Sequence, residues 1–156
     1  MNNMLANYMG FDGRLNRQKW WISAIILAVV GFIISWILGL IMGGGAPMSL
    51  TQALDPAVLQ KAGWQSLILG IVLAYPYLAI TIKRRHDRNN NGMDVVGFLA
   101  VELVYYLLMA LGLTVGIVGT IVGLAFGVYA IYILVVVGFL KGTAGPNSFG
   151  PDPLQG

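Results

Sequence analysis

The most informative single residue in this chain is Glu102, the only formal charge between Val95 and Leu140. A carboxylate inside a membrane span costs about 2.5 kcal/mol or more unless it is paired, and such residues often mark function. Tyrosines of two other predicted helices should reach a similar depth and form an intramembrane polar layer with it: Tyr75, Tyr77 and Tyr132. This layer is either a structural cluster, in which the carboxylate hydrogen-bonds tyrosine hydroxyls or Arg85, or the centre of a proton or ion relay.

The adjacent residues His86 and Asp87 invite an acid-base interpretation. Neighbouring side chains on a regular helix point about 100° apart, however, and no Ser, Cys or second His completes a nucleophilic arrangement. We therefore predict no catalytic residue and no enzyme activity. Asp87 is expected to accept from an arginine or a backbone donor, with His86 at the headgroup boundary, where proton sensing is an alternative role. Four residues should order this turn: His86, Asp87, Asn91 and Gly92.

The same turn fits the opening of a calcium loop, because residues 87–92 place oxygen-bearing side chains at alternate positions and a glycine at the sixth. The twelfth position is Phe98, so the bidentate carboxylate of such a loop is missing. An Asn-Gly turn explains the pattern better. The chain also has no Cys, and we predict no metal site and no cofactor.

Seven of the nine cationic side chains form two short clusters, within 14–19 and 83–88, each beside a long uncharged stretch. Arg14 and Arg17 are three residues apart and share a helix face, and guanidinium groups suit phosphate oxygens. The two clusters predict a basic collar at the membrane surface. This collar either determines the topology and contacts lipid without selectivity, or forms a specific binding site for an anion. The predicted headgroup or phosphate contacts are Arg14, Arg17, Lys19, Arg84, Arg85 and Arg88.

The elements that position these residues must be membrane helices. With 58% hydrophobic and 10% charged residues, a soluble globule of 156 residues would have too little polar surface to cover itself. The mean hydropathy is +0.79 and the pI is near 9.3, which favours contact with anionic membrane lipids and not with nucleic acid. We predict an all-α fold: a polytopic membrane protein with a four-transmembrane-helix bundle.

The chain is predicted to be a single membrane domain, 1–156. It consists of an N-terminal segment (1–19), transmembrane helices (20–42, 64–82, 95–113 and 117–140) and an irregular tail (141–156). Gly43 to Pro47 should end the first helix, and Asp55-Pro56 should begin a short interfacial helix over 57–61. Pro76 should kink the second helix, and the last turn is placed around 114–119.

Charge placement predicts the orientation. Positively charged loops stay on the cytoplasmic side, so the N-terminal segment, the turn at 83–94 and the tail should all be cytoplasmic. The loop after the first helix carries one Asp and one Lys, and the last hairpin carries no charge, as expected for the opposite side. We expect a multi-pass protein of the bacterial inner (cytoplasmic) membrane.

Small residues recur every fourth position on two predicted helices. Such ridges let helix backbones approach closely in lipid, where little hydrophobic force drives helices together. They serve either packing within the bundle or an oligomer interface with another copy or another membrane protein. The ridges are Gly31, Ser35 and Gly39 on the first helix, and Gly119, Gly123 and Gly127 on the last.

Three segments together resemble the bacterial inner-membrane family called domain of unknown function 805. They are the Gly13-Arg14-Leu15-Asn16-Arg17 motif with Trp20-Trp21 after it, the turn at 83–92, and the tail at 142–153 with its Asn147, Phe149-Gly150 and Asp152-Pro153. The resemblance covers nearly the whole chain and implies inner-membrane residence with no established catalytic activity. The chain departs from the family where a Ser-Gly-Trp would fall, offering residues 91–94 instead.

Taken together, these features predict a structural or interaction component of the membrane whose basic collar contacts anionic lipid. The alternative is a small-solute or proton pathway centred on Glu102. The tail is not expected to be helical, because it is interrupted by Pro146, Pro151 and Pro153 and by Gly142, Gly145 and Gly150. Its resemblance to the family implies an ordered role, with Asn147 and Phe149 docking on the collar.

Overall fold

The structure, a computed structural model, describes residues 4–43, 49 and 54–155. Within them the chain has no β-strand and its helices are long and apolar enough to cross a membrane, which confirms the all-α, four-helix prediction. The elements are a 3-10 turn (Met4–Tyr8), α1 (Arg17–Ile41), α2 (Pro56–Asp87), α3 (Met93–Ala110), α4 (Gly116–Leu134) and a π-helical turn (Val135–Phe139) that continues α4.

Helix α1 begins at Arg17, three residues earlier than predicted, because Asn16 caps it. The Asn16 side-chain oxygen accepts from the backbone N–H of Lys19 at 2.9 Å and so satisfies a donor that the helix start leaves free. At its other end the helix stops one residue before the predicted boundary, and Gly43 follows with a left-handed φ of 72°. The rest of the predicted glycine and proline stop, 44–47, lies outside the described residues.

Helix α2 is unbroken from Pro56 to Asp87, so the separate interfacial helix predicted over 57–61 is wrong. Asp55 does cap the start, since its carboxylate accepts a backbone N–H of the first turn at 2.8 Å. The helix then runs on for 32 residues and passes through Pro76 without ending. Such a helix is about 48 Å long, well beyond a hydrocarbon core of about 30 Å.

The turn between α3 and α4 occupies 111–115 and not the predicted 114–119. Gly112 and Gly116 take left-handed φ values of 75° and 86°, which only glycine adopts without strain. No charged residue lies between Leu103 and Leu140, so no charge marks this boundary in the sequence. Helix α3 consequently ends three residues before its predicted limit.

Helix α2 packs against both α1 and α3, and α4 packs against α3. Helix α1 approaches the last element only at the π-helical turn, where the Trp21 indole Nε1 donates to the Gly138 carbonyl at 2.9 Å. The buried apolar core lies near the same level, and it includes Leu15, Trp20, Ile80, Val95, Phe98, Ile133, Val136 and Val137. Toward the other end the helices expose large apolar side chains, as expected for surfaces that face lipid.

The N-terminal segment, the α2–α3 turn and the tail meet at one end of the bundle, which we call the charged end (4–19, 83–94 and 135–155). The Leu15 N–H donates to the Lys83 carbonyl at 3.0 Å. The Thr143 N–H donates to the Asp87 carbonyl at 2.8 Å, which ties the tail to the end of α2. Two segments that are distant in sequence are thus joined to one helix terminus.

The first predicted ridge packs within the bundle. A side chain at Gly31 would come within 3.1 Å of Leu73 Cδ1 on α2. Ser35 accepts twice from the Gln65 side-chain amide, at 2.6 Å on its carbonyl and 2.8 Å on its hydroxyl, and Gly39 lies beside the same amide. This ridge therefore forms the α1–α2 contact.

Of the second ridge, on α4, only one glycine faces a side chain of another helix. Gly123 faces the Tyr105 hydroxyl of α3, whereas a side chain at Gly127 would meet only open space. Gly119 contacts the backbone of Thr114 in its own hairpin. Among the described glycines in helices, the closest approach to another helix is at a glycine outside both ridges. It is the buried Gly63 of α2, whose missing side chain leaves room for the α3 backbone at Ala110.

Candidate functional site

Arg84 is the most deeply buried charged residue, and it points into the protein. Its side chain is 0% exposed. Its Nε donates to the Val137 carbonyl at 2.8 Å, while the two terminal nitrogens donate to Asp87 Oδ2 and to the Leu140 carbonyl. The guanidinium group thereby satisfies carbonyl groups that the end of the π-helical turn leaves free.

Asp87 takes a second arginine from the N-terminal segment. Arg14 Nη2 lies 3.1 Å from Asp87 Oδ1, and the two side chains are 1% and 5% exposed. Arg14 also donates to the Thr143 and Gly145 carbonyls of the tail, each at 2.6 Å. One carboxylate thus holds two guanidinium groups, and the prediction that Asp87 accepts from an arginine is confirmed.

Arg85 makes its own ion pair, with Asp94 at the start of α3. The Nη2–Oδ2 distance is 2.8 Å, and the Nε donates to Oδ1 at 3.1 Å. Of the two kinds of partner predicted for Glu102, a tyrosine hydroxyl or Arg85, Arg85 is therefore excluded. A carboxylate in the first turn of α3 also suits the positive end of the helix dipole.

Lys83 is likewise turned inward. Its ammonium donates to the Ala6 and Met9 carbonyls, both at 3.0 Å, and so holds the N-terminal segment against α2. The hydroxyl of Tyr8 joins the same segment to α1, because it donates to the Ser23 carbonyl at 2.8 Å.

The tail docks through Asn147 and Phe149, as predicted, but these residues contact His86 of the α2–α3 turn and not the cations of the predicted collar. The rings of His86 and Phe149 are stacked with centroids 3.9 Å apart and planes 7° apart. Asn147 Nδ2 donates to the His86 carbonyl at 2.9 Å. His86 Nδ1 also lies 3.1 Å from the Gly13 carbonyl, so the imidazole sits between protein segments and not at an open headgroup boundary.

The rest of the turn is ordered by asparagine side chains. Gly92 has a left-handed φ of 76°, and a side chain there would come within 3.1 Å of Ile82. Asn91 Oδ1 accepts from the Met93 N–H at 3.1 Å, and Asn90 Oδ1 accepts from the Gly92 N–H at 2.9 Å. Across the described parts of the chain, no three side chains group as metal ligands.

The predicted collar does not form as a ring of outward cations, because Arg14, Arg84 and Arg85 are used internally. Arg88 is half-buried beside the π-helical turn. Arg17 is exposed and donates to the Phe139 carbonyl at 3.0 Å, and Lys19 is half-buried in the first turn of α1. Sequence spacing placed these cations at the correct end of the helices but could not assign the direction of each side chain.

The predicted polar layer is not assembled either. Glu102 accepts from Tyr106, a residue that sequence reasoning missed, at 3.0 Å. Tyr75 accepts from the Gly10 N–H and Tyr132 donates to Asp94, both toward the charged end. Of the three tyrosines in the predicted layer, Tyr77 alone lines the same cavity as Glu102. The i,i+4 spacing of Glu102 and Tyr106 on one helix is the signal that could have found this pair.

That cavity has a volume of about 730 Å³ and is bordered by all the described helices. Its lining is apolar except for a few groups, chiefly Ser66, Tyr77, Thr81, Glu102 and Tyr106. The cavity lies between α1 and the α3–α4 pair, with α2 behind it, because α1 and α4 approach each other only at the charged end.

These features define an integral membrane protein: a bundle of apolar helices closed at one end by a buried ionic network. A family described as protein of unknown function (DUF805) matches residues 8–151, and the chain belongs to that family. It is similar to the inner membrane protein YhaI of Escherichia coli (strain K12), with 28% identity over 99% of this chain and 94% of that protein. It is also similar to the inner membrane protein YhaH of the same strain, with 27% identity over 96% and 92%.

No solved structure matches the chain. The family match confirms the resemblance drawn from the terminal motif, the turn and the tail, and the relatives are named as inner membrane proteins. The buried network uses residues from all three of those segments, namely Arg14, Arg84, Asp87 and the tail carbonyls. The sequence features that carry the family resemblance are therefore those that close the charged end.

Proposed function

We propose that this protein is a structural or interaction component of the inner membrane, and not an enzyme. The observation that carries the proposal is the use of Arg14, Arg84, His86 and Asp87 in fixed internal contacts. Side chains held in these contacts stabilise the charged end and leave no acid-base pair accessible to a substrate.

We further propose that the charged end faces the cytoplasm, with both termini on that side. The support is the positive-inside rule, together with the meeting of the N-terminal segment, the basic turn and the tail at one end of the bundle. On this orientation Arg17 and Lys19 lie in the first turn of α1, at the level of the cytoplasmic headgroups, and Lys141 is exposed nearby. Each such cation contributes about 1 kcal/mol of attraction to an anionic surface.

The lipid contact is tested by reconstituting the protein in bilayers of phosphatidylcholine with and without phosphatidylglycerol. Phosphatidylglycerol should raise the thermal unfolding temperature of the wild type. The double variant Arg17→Gln/Lys19→Gln should lose most of this increase, and Lys61→Gln, at the opposite end, should keep it. An unchanged response of the double variant would refute the contact.

Self-association is the proposed mode of interaction. Gly127 faces open space on α4, and its neighbours Leu124 and Val128 are exposed, so a second helix could approach there. Cross-linking in native membranes should capture a homo-oligomer that Gly127→Leu weakens and that Val29→Leu, on the exposed face of α1, does not. Equal cross-linking of both variants would exclude this surface.

A second candidate function is a proton or small-solute pathway centred on Glu102. The observation in its favour is that Ser66, Tyr77, Thr81 and the Glu102–Tyr106 pair line one cavity, so polar groups recur along the bundle. Proton or ion flux into reconstituted vesicles that falls on Glu102→Gln would support it. Flux unaffected by that change would leave the structural role as the function.

A further inference from the structure

The segment before α1 lies deeper in the bundle than the point at which α1 begins. The Tyr8 hydroxyl reaches the carbonyl of Ser23, which lies six residues, or about 9 Å, from the start of α1. The Gly10 N–H donates to the Tyr75 hydroxyl at 3.1 Å, and Tyr75 lies twelve residues, or about 18 Å, before the end of α2. Both contacts place this segment beside the membrane-crossing parts of α1 and α2.

The residues of this segment divide between an inward face and an outward face. Asn7 and Tyr8 are turned inward, since both side chains hydrogen-bond Ser23 of α1. No charged side chain occurs within 4–11. The outward face is built from large apolar side chains that are 37% to 70% exposed, namely Met4, Leu5, Met9 and Phe11. Contact of so much apolar surface with water is unfavourable.

The backbone of the segment finds polar partners within the protein. Lys83 Nζ donates to the Ala6 and Met9 carbonyls, each at 3.0 Å, and Lys83 is only 6% exposed. The Met9 N–H donates to the Ala6 carbonyl at 3.3 Å, and Tyr75 accepts from Gly10 as described above. In lipid, backbone groups need such partners because no water replaces them. The non-helical chain is thus equipped for a depth at which water is scarce.

The outward face continues into the lipid-facing surface of α2. The rings of Phe11 and Tyr75 pack edge-on with centroids 5.4 Å apart. Tyr75 is 50% exposed, and Ile71 and Val72, which lie one turn earlier on the same helix face, are 60% and 56% exposed. Since α2 is a membrane-spanning helix, these side chains face acyl chains. The medium that covers them therefore also adjoins the segment.

We propose that residues 4–11 form an interfacial anchor whose outward face lies among the acyl chains of the leaflet at the charged end. Its partner is the bilayer and not a second protein, because its apolar surface is continuous with a surface that already faces lipid. The proposal rests on the membrane residence of the chain and not on which side of the membrane the charged end faces.

The test is the environment of an NBD label on single cysteines of the full-length protein. Nanodiscs of phosphatidylcholine are prepared with and without lipid brominated midway along its acyl chains. Met9→Cys reports on the segment, and Val29→Cys, 54% exposed on α1, is the reference for a lipid-facing position. Ser148→Cys is the matched control, because Ser148 is exposed in the tail at the same end of the bundle.

We expect the label at residue 9 to emit at the short wavelength seen at residue 29 and to be quenched by brominated lipid. The label at residue 148 should emit as in water and escape quenching. Water-like emission at residue 9 would overturn the proposal. Short-wavelength emission that brominated lipid does not quench would mean that protein covers the face, and would overturn it as well. If Met9→Cys does not yield a monodisperse protein, Leu5→Cys replaces it.

A second measurement tests whether lipid holds the segment in place. Leu5→Gln/Met9→Gln should speed amide hydrogen exchange over 4–11 about tenfold or more, because the loss of two lipid-buried apolar side chains favours the detached state. Met93→Gln, at an exposed methionine of the charged end, is the control that should exchange as the wild type does. Equal exchange in the double variant and the wild type would show that protein contacts alone fix the segment, and would refute the anchor. Neither measurement depends on the headgroup contacts of Arg17 and Lys19, so the two proposals fail separately.

Discussion

At the scale of single residues, the charged end is organised by one carboxylate. Asp87 binds Arg14 and Arg84, and both guanidinium groups also hold backbone carbonyls. Removing one partner of a buried ion pair is costly because the remaining charge stays buried, and the loss is typically about 3–5 kcal/mol. The network is thus expected to dominate the stability of this end.

Asp87→Asn should therefore lower the free energy of unfolding by about 3–5 kcal/mol, measured by reversible denaturation in bicelles. Asp55→Asn is the matched control, since asparagine caps a helix as well as aspartate does and the change should be nearly neutral. Similar losses for both variants would mean that the network contributes no more than a helix cap.

Acid should loosen the tail through Asp152. The backbone N–H groups of Leu154 and Gly145 donate to its carboxylate and hold the pKa of Asp152 below its usual range. A lowered pKa means that the docked tail favours the charged form, so docking is fully supported above the ordinary aspartate value of about 3.9 and weakens as the pH falls through the lowered pKa. Pepsin cleavage of the tail should rise steeply over that range in wild type, and Asp152→Asn should flatten the rise.

At the scale of elements, the sequence predicted how far along the bundle each side chain lies, but not the direction in which it points around its helix. Uncharged runs gave the four helices, and Asn-Gly gave the α2–α3 turn. The inward direction of Arg84 depends on carbonyls of residues 137 and 140, more than fifty positions away, which no local pattern encodes. Tyr106 could have been found, since it lies one helical turn from Glu102.

The spacing of glycines likewise did not predict which of them pack against a neighbouring helix. Gly127 belongs to a regular ridge but faces open space, whereas Gly63 belongs to no ridge and lies against the α3 backbone. Gly63→Ala should therefore destabilise the bundle by about 1–3 kcal/mol through overpacking, and Gly127→Ala should not destabilise the isolated bundle. Thermal unfolding of both variants in detergent measures the difference, and equal stability would contradict the packing assigned to Gly63.

At the scale of the whole molecule, the ion pairs between described residues all lie at the charged end. This asymmetry agrees with an orientation set by charge, and labelling from one side of the membrane tests that orientation. The chain contains no Cys, so single cysteines can be introduced without background labelling.

In intact cells, a membrane-impermeant maleimide should label Leu54→Cys and leave Asn89→Cys unlabelled until the inner membrane is permeabilised. Both positions are exposed, at opposite ends of α2. Labelling of Asn89→Cys in intact cells, with Leu54→Cys protected, would reverse the orientation.

The carbonyl contacts of Arg84 carry a consequence for biosynthesis. The second helix emerges from the ribosome long before the residues whose oxygens its guanidinium group will eventually occupy. Until the final hairpin has been inserted, that cation must stay hydrated at the membrane surface, so the second helix would sit shallower in the nascent protein than in the finished one. Completion of the last crossing would then draw it to its final depth, which makes membrane integration of this chain a process with a defined final step.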